Sequence, residues 1–278
     1  MPNIDLHSHS NVSDGVLTPA ALAARAHANG VDVWALTDHD EVGGIAAARA
    51  AALECGMHHV PGVEISITWG GETVHIVGLQ IDETHPQLVQ GLAATRSGRE
   101  QRGREIARQL AAAGIPDAFE GALKYVGNPL LMSRTHFARY IVERGICRDI
   151  GDVFRNYLTE GKPGYVPHRW ATLGDAIGWI RAAGGVAVIA HPGRYRFSDL
   201  AQDALFDEFK QRGGAAIEVI TGSHTSDQYE LYAKMARRYG FLASRGSDFH
   251  GPGESRIDLG QLPPLPDSLT PVWHNWQF

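Results

Sequence analysis

Cysteine is scarce in this chain, with two in 278 residues, Cys55 and Cys147. They sit in unrelated contexts without a CxxC spacing, which excludes a disulfide framework and a thiolate zinc ribbon, and both read as buried thiols. No window approaches the roughly 18 consecutive apolar residues that a membrane span needs. The first residues lack the basic start, apolar stretch and small-residue cleavage site of a secretory signal. The expectation is a cytoplasmic chain with no membrane contact. Cations are in deficit as well: 25 Lys and Arg against 31 Asp and Glu give a net charge of -6. That balance argues against a surface built to coat long nucleic acid. A small anionic substrate stays open, because bound divalent cations invert the field of a cleft. Neither "GGETV" nor "GPGES" carries the Lys and Ser or Thr of a phosphate-binding P-loop. No internal repeat or low-complexity segment is present, and no obligate protein partner is inferred.

What is there is a βα alternation with 44% hydrophobic residues, enough for a substantial core. A strand is expected at Ile4–His9, then a helix opened by Thr18 as N-cap and Pro19 at the first helical position and closed on Gly30. A second strand is expected over Val31–Leu36, a helix from Gly44 to Cys55, and then "HHVPGVEIS". Gly70-Gly71 between "EISITW" and "ETVHIVGL" predicts a two-residue hairpin turn that pairs Trp69 with Glu72 and Ser66 with His75. From about residue 100 to 165 the spacing is helical without a convincing strand. Strands and helices then resume through "GGVAVIAHPGR", "AAIEVITGSH" and "GFLASRGSDFHG", and the Pro-rich end reads as an irregular packed tail. The expected domains are 1–99 as the first barrel part, 100–165 as a helical insertion that contacts substrate, and 166–278 as the second barrel part with the tail.

Side chains alternate along a strand, so Asp5, His7 and His9 are expected on one side together. Further polar groups recur where other strands end: Asp38-His39-Asp40, Glu64, His191, and Asp248 with His250. In parallel α/β barrels the strand C-termini form one mouth, where residues distant in sequence meet. In the predicted hairpin, Glu64 and His75 are diagonal neighbours on one face. A single buried histidine is more often a hydrogen-bonded core residue than a ligand. Six of the fourteen histidines, His7, His9, His39, His75, His191 and His250, lie on or just after strands beside carboxylates. Imidazole with carboxylate suits zinc, manganese or iron. His27, His58, His59, His85 and His274 fall elsewhere and read as surface or packing residues.

The ordered blocks "HSHSNVSDG", "TDHD", "GVEIS", "VHIVGL", "AHPGR" and "GSDFHG" resemble the polymerase and histidinol phosphatase (PHP) family of metal-dependent phosphoesterases. The resemblance implies an α/β fold, a distorted (β/α)7 TIM-like barrel with a small helical insertion, and three divalent ions per chain, manganese foremost with zinc or iron as alternatives. Carried onto this sequence, one ion takes His7, His9, Glu64 and Asp248. A second takes the bridging Glu64 with His75 and His191, and a third takes Asp14, His39 and His250. A hydroxide held by Glu64, His191 and Asp248 through their ions is then the expected nucleophile. Asp38 or Asp40 is expected to orient metal-bound imidazoles, with a helix cap as the competing reading for Asp40.

The insertion, with "SRTHFARYIVERG" and "GKPGYVP", is similar to that of the 3',5'-nucleoside bisphosphate phosphatases, a group also linked to 5'-to-3' trimming of short RNA. The implied substrate is a small nucleotide or short RNA. Arg134, Lys162, Arg194 and Arg169 flank the family-like blocks and are expected to grip phosphate. Arg96, Arg99 and Arg102 at spacing three read either as a solvated helix face or, for Arg99 and Arg102, as phosphate contacts. His224 is taken as a substrate contact or a cap, and His136 as a contact or a packing residue. Tyr165, Trp170 and Phe249 are each a stacking surface or core. The leading expectation is removal of the 3'-phosphate of a nucleoside 3',5'-bisphosphate. The alternatives are a 5'-3' exoribonuclease, a histidinol phosphatase, and a non-catalytic metal-binding module.

Overall fold

In the computed structural model, which describes residues 2–278, the alternation becomes a seven-stranded sheet in chain order whose two edges meet. The strands are β1 (Ile4–Asp5), β2 (Val33–Leu36), β3 (His58–Trp69), β4 (Glu72–Leu79), β5 (Val186–Ile189), β6 (Ala216–Thr221) and β7 (Leu242–Gly246). Leu6 N–H donates to Arg245 O at 3.0 Å, Asp248 N–H to His7 O at 2.9 Å, and His9 N–H to Phe249 O at 2.9 Å, which closes the barrel. It is distorted because β4 runs antiparallel to both β3 and β5, whereas the other neighbours are parallel.

Local chemistry sets these elements. Helix α1 (Pro19–Ala28) starts where Thr18 accepts the Ala21 N–H and Pro19 needs no donor, and it is followed by Gly30 at φ +76°. Gly70 and Gly71 take φ of +57° and +84°, the left-handed pair that a tight hairpin turn demands, and Ser66 then faces His75 as the spacing predicted. The first strand departs from expectation. Its pairing is regular only at Ile4–Asp5 and returns as one isolated bridge at Ser8. Beyond Asp5 the chain shares its backbone hydrogen bonds chiefly with the end of β7 and the residues after it, through Arg245, Asp248 and Phe249.

Apolar residues of one parity from all the strand regions, among them Leu6, Val33, Ala35, Val60, Val77, Leu79, Val188 and Ala216, form one cluster that fills the barrel. The tail seals it with Val272, Trp273 and Trp276, and Val272 N–H donates to Ala243 O at 2.8 Å. Trp34 and Leu36, of the other parity, pack on α1 and α2 (Ile45–Glu54). After α3 (Pro86–Arg96) come α4 (Arg99–Ala112), α5 (Ala118–Leu123), α6 (Arg134–Glu143) and α7 (Ile150–Val153), the last running into a single π turn at Phe154–Leu158. No strand occurs in this stretch among the described residues. It buries a cluster of its own, built on Ile106, Leu110, Phe137, Ile141, Val153 and Leu158. Helices α8 (Leu173–Ala182), α9 (Asp199–Gln211) and α10 (Ser226–Tyr239) complete the outer layer over Ile65, Ile67, Ile76 and Ile217.

Candidate metal centre and its cationic cleft

Strand ends deliver most of the candidate ligands. His7 and His9 follow β1, His39 follows β2, His191 follows β5, and Asp248 and His250 follow β7, while Asp14 comes from the loop before α1. Because β4 runs against its neighbours, its early residue His75 arrives at the same mouth, beside Glu64 of β3. Gly246 is required here, since a Cβ at that position would lie 2.3 Å from the His7 Cβ.

All nine candidate ligands meet. Glu64 is the hub: Oε1 lies 3.0 Å from His191 Nε2, 3.0 Å from His75 Nδ1 and 3.3 Å from His7 Nε2. Its Oε2 lies 2.9 Å from His39 Nδ1 and 3.3 Å from His9 Nε2. Asp248 Oδ1 is 3.2 Å from His9 Nε2 and 3.6 Å from His7 Nε2. Asp14 Oδ1 is 3.4 Å from His250 Nε2 and 3.8 Å from His39 Nε2. Ligand bonds of about 2.0–2.2 Å to one ion place neighbouring donor atoms roughly 3.0–3.5 Å apart, the range most of these spacings occupy.

The donor atoms themselves test the fit of a metal. Asp14 Oδ1, Glu64 Oε2, Asp248 Oδ1, His9 Nδ1 and His39 Nδ1 are buried and make no hydrogen bond. A buried carboxylate oxygen without a partner is costly unless a cation meets it. Imidazole nitrogen with carboxylate oxygen and no thiolate fits divalent manganese, zinc or iron. Three groups of donor atoms converge: His7, His9 and Asp248; His39, Glu64 and His75; and His9, Asp14, His39 and His250. These groups share members with the three ligand sets implied by the resemblance but divide them differently, with His9 reaching the Asp14 group and His39 reaching Glu64.

Electrostatics fit the same reading. Burial opposes a charge on His7, yet Glu218, Glu64 and Asp248 raise its pKa well above the ordinary value. Burial, with His250 and His39 nearby, pushes His9 down to about 3, and burial with Arg194 does the same to His191. Burial disfavours charge on Glu64, but His39, His75 and His7 hold its pKa well below the usual carboxylate range. The centre therefore keeps its hub ionised and two of its imidazoles neutral, the states that ligate. His191 at φ +28° and Asp248 at φ +55° hold left-handed backbone that costs of order 1–3 kcal/mol each.

The surrounding groups differ from expectation. Asp5 does not join His7 and His9: it accepts the N–H groups of Ser247 and Gly260 at 2.8 and 2.9 Å and ties β1 to the chain after β7. Neither Asp38 nor Asp40 touches an imidazole by hydrogen bond. Asp38 accepts from Ser10 N–H and Oγ and from Ser13 Oγ, bracing the loop that carries Asp14. Asp40 caps no helix, accepting instead from Ser66 N–H and Oγ and from Arg99. The carboxylate that orients an imidazole is Glu218, missed in the sequence, whose Oε1 lies 2.7 Å from His7 Nδ1. His224 is not a substrate contact. It is wholly buried, with Nε2 accepting the Gly193 N–H at 3.0 Å and Nδ1 facing Val219 O at 3.2 Å. His136 is likewise buried and accepts the Ser133 N–H in the capping box of α6.

At the centre, a small cavity of about 110 Å³ is lined by Asp14, His39, His75 and His250 together with Arg99, Arg102, Arg134 and Arg194. Cavities of about 270 and 500 Å³ flank it, and Arg194 and Phe154 line all three. Arg99 pairs with Asp40 and stacks 4.4 Å over Trp170. Arg102 donates to Val166 O and Arg134 to Leu158 O, and neither has a carboxylate partner. The solvated-face reading fails for these residues, and also for Arg96, which reaches Asp40 O and Glu41. Lys162 and Arg169 are exposed and line none of the three cavities. Neither therefore stands in the cleft with the buried arginines. Phe249 is core beside Trp34, Tyr165 lines the cavity of about 270 Å³, and Phe154 is an aromatic lining residue that sequence reasoning missed.

Barrel, donor set and cationic cleft together define a metal-dependent phosphoesterase. A PHP domain model matches residues 5–160. The chain is 51% identical over 273 residues to a 3',5'-nucleoside bisphosphate phosphatase of Chromobacterium violaceum, covering 98% of this chain and 96% of the relative. It is 43% identical over 275 residues to the 5'-3' exoribonuclease Rnm of Escherichia coli, covering 98% and 93%. A solved structure of an amidohydrolase from Chromobacterium violaceum with bound sulfate superposes with a TM-score of 0.95 at 51% identity, covering 98% of this chain and 94% of that one. The chain belongs to the PHP family and is a phosphoester hydrolase.

Proposed function

We propose that this chain removes the 3'-phosphate of nucleoside 3',5'-bisphosphates, releasing a nucleoside 5'-monophosphate and inorganic phosphate. The observation that carries the reading is that two unlike groups line one small cavity: histidines and a carboxylate of the centre, and the guanidiniums of Arg99, Arg102 and Arg134. A substrate with two phosphates has one for each. The relative named for this activity, at 51% identity over nearly the whole chain, supports it.

In this reading three divalent ions, manganese foremost, are held by His7, His9, Glu64 and Asp248, by Glu64, His75 and His191, and by Asp14, His39 and His250. Such ions supply a water ionised near neutral pH and offset charge on the phosphoryl oxygens. Glu64, His191 and Asp248 hold the reacting end of the site. Arg194, which donates to Asp248 Oδ2 at 3.0 Å and lines all three cavities, exchanges that partner for an oxygen of the scissile phosphate. Arg134 and Arg102, which lack carboxylate partners, take the distal phosphate, with Arg99 beside them. The segments then divide the work: 1–99 and 166–278 hold the ions, and 100–165 holds the far phosphate. The two free cysteines fit the reducing cytoplasm as the place of action.

The exoribonuclease reading is the second. Arg194 also lines two larger cavities, of about 500 and 270 Å³, which leave room for a nucleotide beyond the scissile phosphate. Histidinol phosphate fits less well, since its ammonium group would sit among guanidiniums.

Phosphate release from adenosine 3',5'-bisphosphate and adenosine 3'-monophosphate, beside release of adenosine 5'-monophosphate from a 5'-phosphorylated diadenylate, all with manganese-loaded protein, tests the reading. We expect kcat/KM for the bisphosphate to exceed that for the 3'-monophosphate by about 10–100-fold, the worth of a charge-assisted contact. Equal values would overturn it, and faster release of 5'-monophosphate from the diadenylate would favour the exoribonuclease.

A further inference from the structure

Asp14 is the candidate ligand that no strand carries, and its side chain has two unlike oxygens. Oδ1 faces His250 and His39 with no hydrogen bond, while Oδ2 is held from the insertion. Thr135 Oγ1 donates to Oδ2 at 3.0 Å and Ser133 Oγ at 3.2 Å. As N-cap of α6 the Ser133 oxygen accepts the Thr135 N–H, and its hydrogen has Asp14 Oδ2 as the nearer acceptor, since His136 Nδ1 is 3.4 Å away and already accepts the Ser133 N–H. One turn further along α6, Arg139 donates to the Asp14 backbone carbonyl at 2.6 Å and pairs with Glu254 at 2.7 Å. Its guanidinium is 5% exposed. Glu254 lies four residues beyond His250, so one side chain ties α6 both to Asp14 and to the loop that follows His250.

We propose that the helical insertion is a working part of the metal centre. Ser133 and Thr135 are positioning residues that lock Asp14 as a one-oxygen ligand, so that the ion at Asp14, His39 and His250 is held tightly only when α6 is docked. Two hydroxyl donors on Oδ2 fix the rotation of the carboxylate and leave Oδ1 as its one free acceptor. Without them the carboxylate turns freely, although the backbone of the loop from Asn11 to Gly15 stays held by its Asp38 braces, by Gly15 N–H on Ser10 O and by Arg139 on Asp14 O. Linkage makes the effect reciprocal: if α6 tightens the ion, the ion must tighten α6. Arg134 stands between the two hydroxyl residues and faces the cationic cavity. The same turn therefore joins the ion at Asp14 to the grip on the distal phosphate. This inference rests on the three-ion reading above and goes beyond it in naming what completes the third position.

The test is metal content and manganese affinity in the absence of substrate, for wild type, Thr135→Val and Thr135→Ser. Thr135→Val keeps the shape and the Ser133 cap while removing one donor. We expect wild type to bind three ions. In Thr135→Val we expect one of them to weaken by about 10–100-fold, the usual cost of losing a group that hydrogen-bonds a ligand. The other two should be unchanged, and Thr135→Ser should restore the third. A second measurement needs no variant: in wild type, manganese should slow amide hydrogen exchange across residues 133–143. Three unchanged affinities in Thr135→Val, or exchange in α6 indifferent to manganese, would overturn the proposal. Fewer than three ions in wild type would instead sink the three-ion reading, and this inference with it.

Discussion

Glu218 Oε1 lies 2.7 Å from His7 Nδ1, and the other oxygen of the same carboxylate accepts the His191 backbone N–H at 2.6 Å. One buried acid thus fixes the ring of a candidate ligand from the start of the chain and the backbone of another that follows β5. Burial raises the pKa of Glu218, and His7 and the His191 N–H oppose that rise. With Nδ1 donating to Glu218, His7 presents Nε2 to Glu64 and Asp248, the arrangement that sets both the tautomer and the aim of a metal-binding imidazole.

Glu218→Gln follows directly from this geometry. The amide is nearly the same size but has one acceptor where two donors need partners, so an N–H is left facing an N–H. We expect manganese affinity to fall about 10–100-fold with the fold retained. Titration of the stripped protein with manganese, beside a circular dichroism spectrum, reads both. Unchanged affinity would show that His7 needs no fixing.

Arg102 gives an opposite prediction for stability. Its guanidinium is buried and lacks a carboxylate, and burial together with Arg134 and Arg99 lowers its pKa to about 9. A cation in such a position is unfavourable until an anion arrives. Arg102→Met should therefore stabilise the ligand-free protein, by about 1–2 kcal/mol, while lowering kcat/KM for a bisphosphate by about tenfold or more. Added sulfate should raise the melting temperature of wild type more than that of the variant. A destabilised variant, or equal stabilisation by sulfate, would show that Arg102 serves the fold.

That most of the nine candidate ligands converge could be read from the sequence, because polar residues stand out where strand ends want apolar ones; Asp14, on a loop, could be placed only by the family resemblance. The Glu64 and His75 pairing could be read too, since two glycines fix the turn and the turn fixes the register. Glu218 could not. It sits inside "AIEVIT", a wholly buried strand, and a single acid in a β-branched run gives no periodic signal of its own. Its partner is 211 residues away. Asp38 and Asp40 were legible as important but not in role, because whether an acid beside a ligand meets imidazole, serine or arginine depends on loop paths that spacing does not set. Spacing likewise does not separate Lys162 and Arg169, whose side chains face solvent, from their neighbours Tyr165 and Trp170, which line the cleft. Strand β1 is shorter than its pattern suggests, because alternation persists from Ile4 to His9 while regular pairing stops at Asp5 and the hydrogen bonds pass to Arg245, Asp248 and Phe249.

The buried histidines outside the centre give a pH dependence whose sign can be worked out. Burial lowers His224 to about 4, with the Val219 carbonyl opposing, and burial lowers His136 to about 4, with Asp14 opposing. The unfolded chain protonates each near the ordinary value of about 6.5. Between those limits the unfolded state binds more protons than the folded one, so this contribution to stability is complete above about pH 6.5 and is lost as pH falls toward 4. Each group accounts for up to about 3 kcal/mol over that window. Imidazoles of the centre add contributions of both signs: burial lowers His9 and His191 to about 3, whereas on His39 burial is outweighed by Glu64 and Asp14, which raise its pKa to about 9. The measurement is accordingly a difference. Urea unfolding of metal-stripped wild type and His224→Gln, from pH 7.5 down to 5, should show wild type losing stability more steeply on acidification, by close to one proton's slope at the low end. The variant should be less stable at pH 7.5, because the Gly193 N–H loses its imidazole acceptor. Parallel curves would mean that His224 takes up its proton without leaving the fold, and that the turn after His191 is held by something other than a neutral ring.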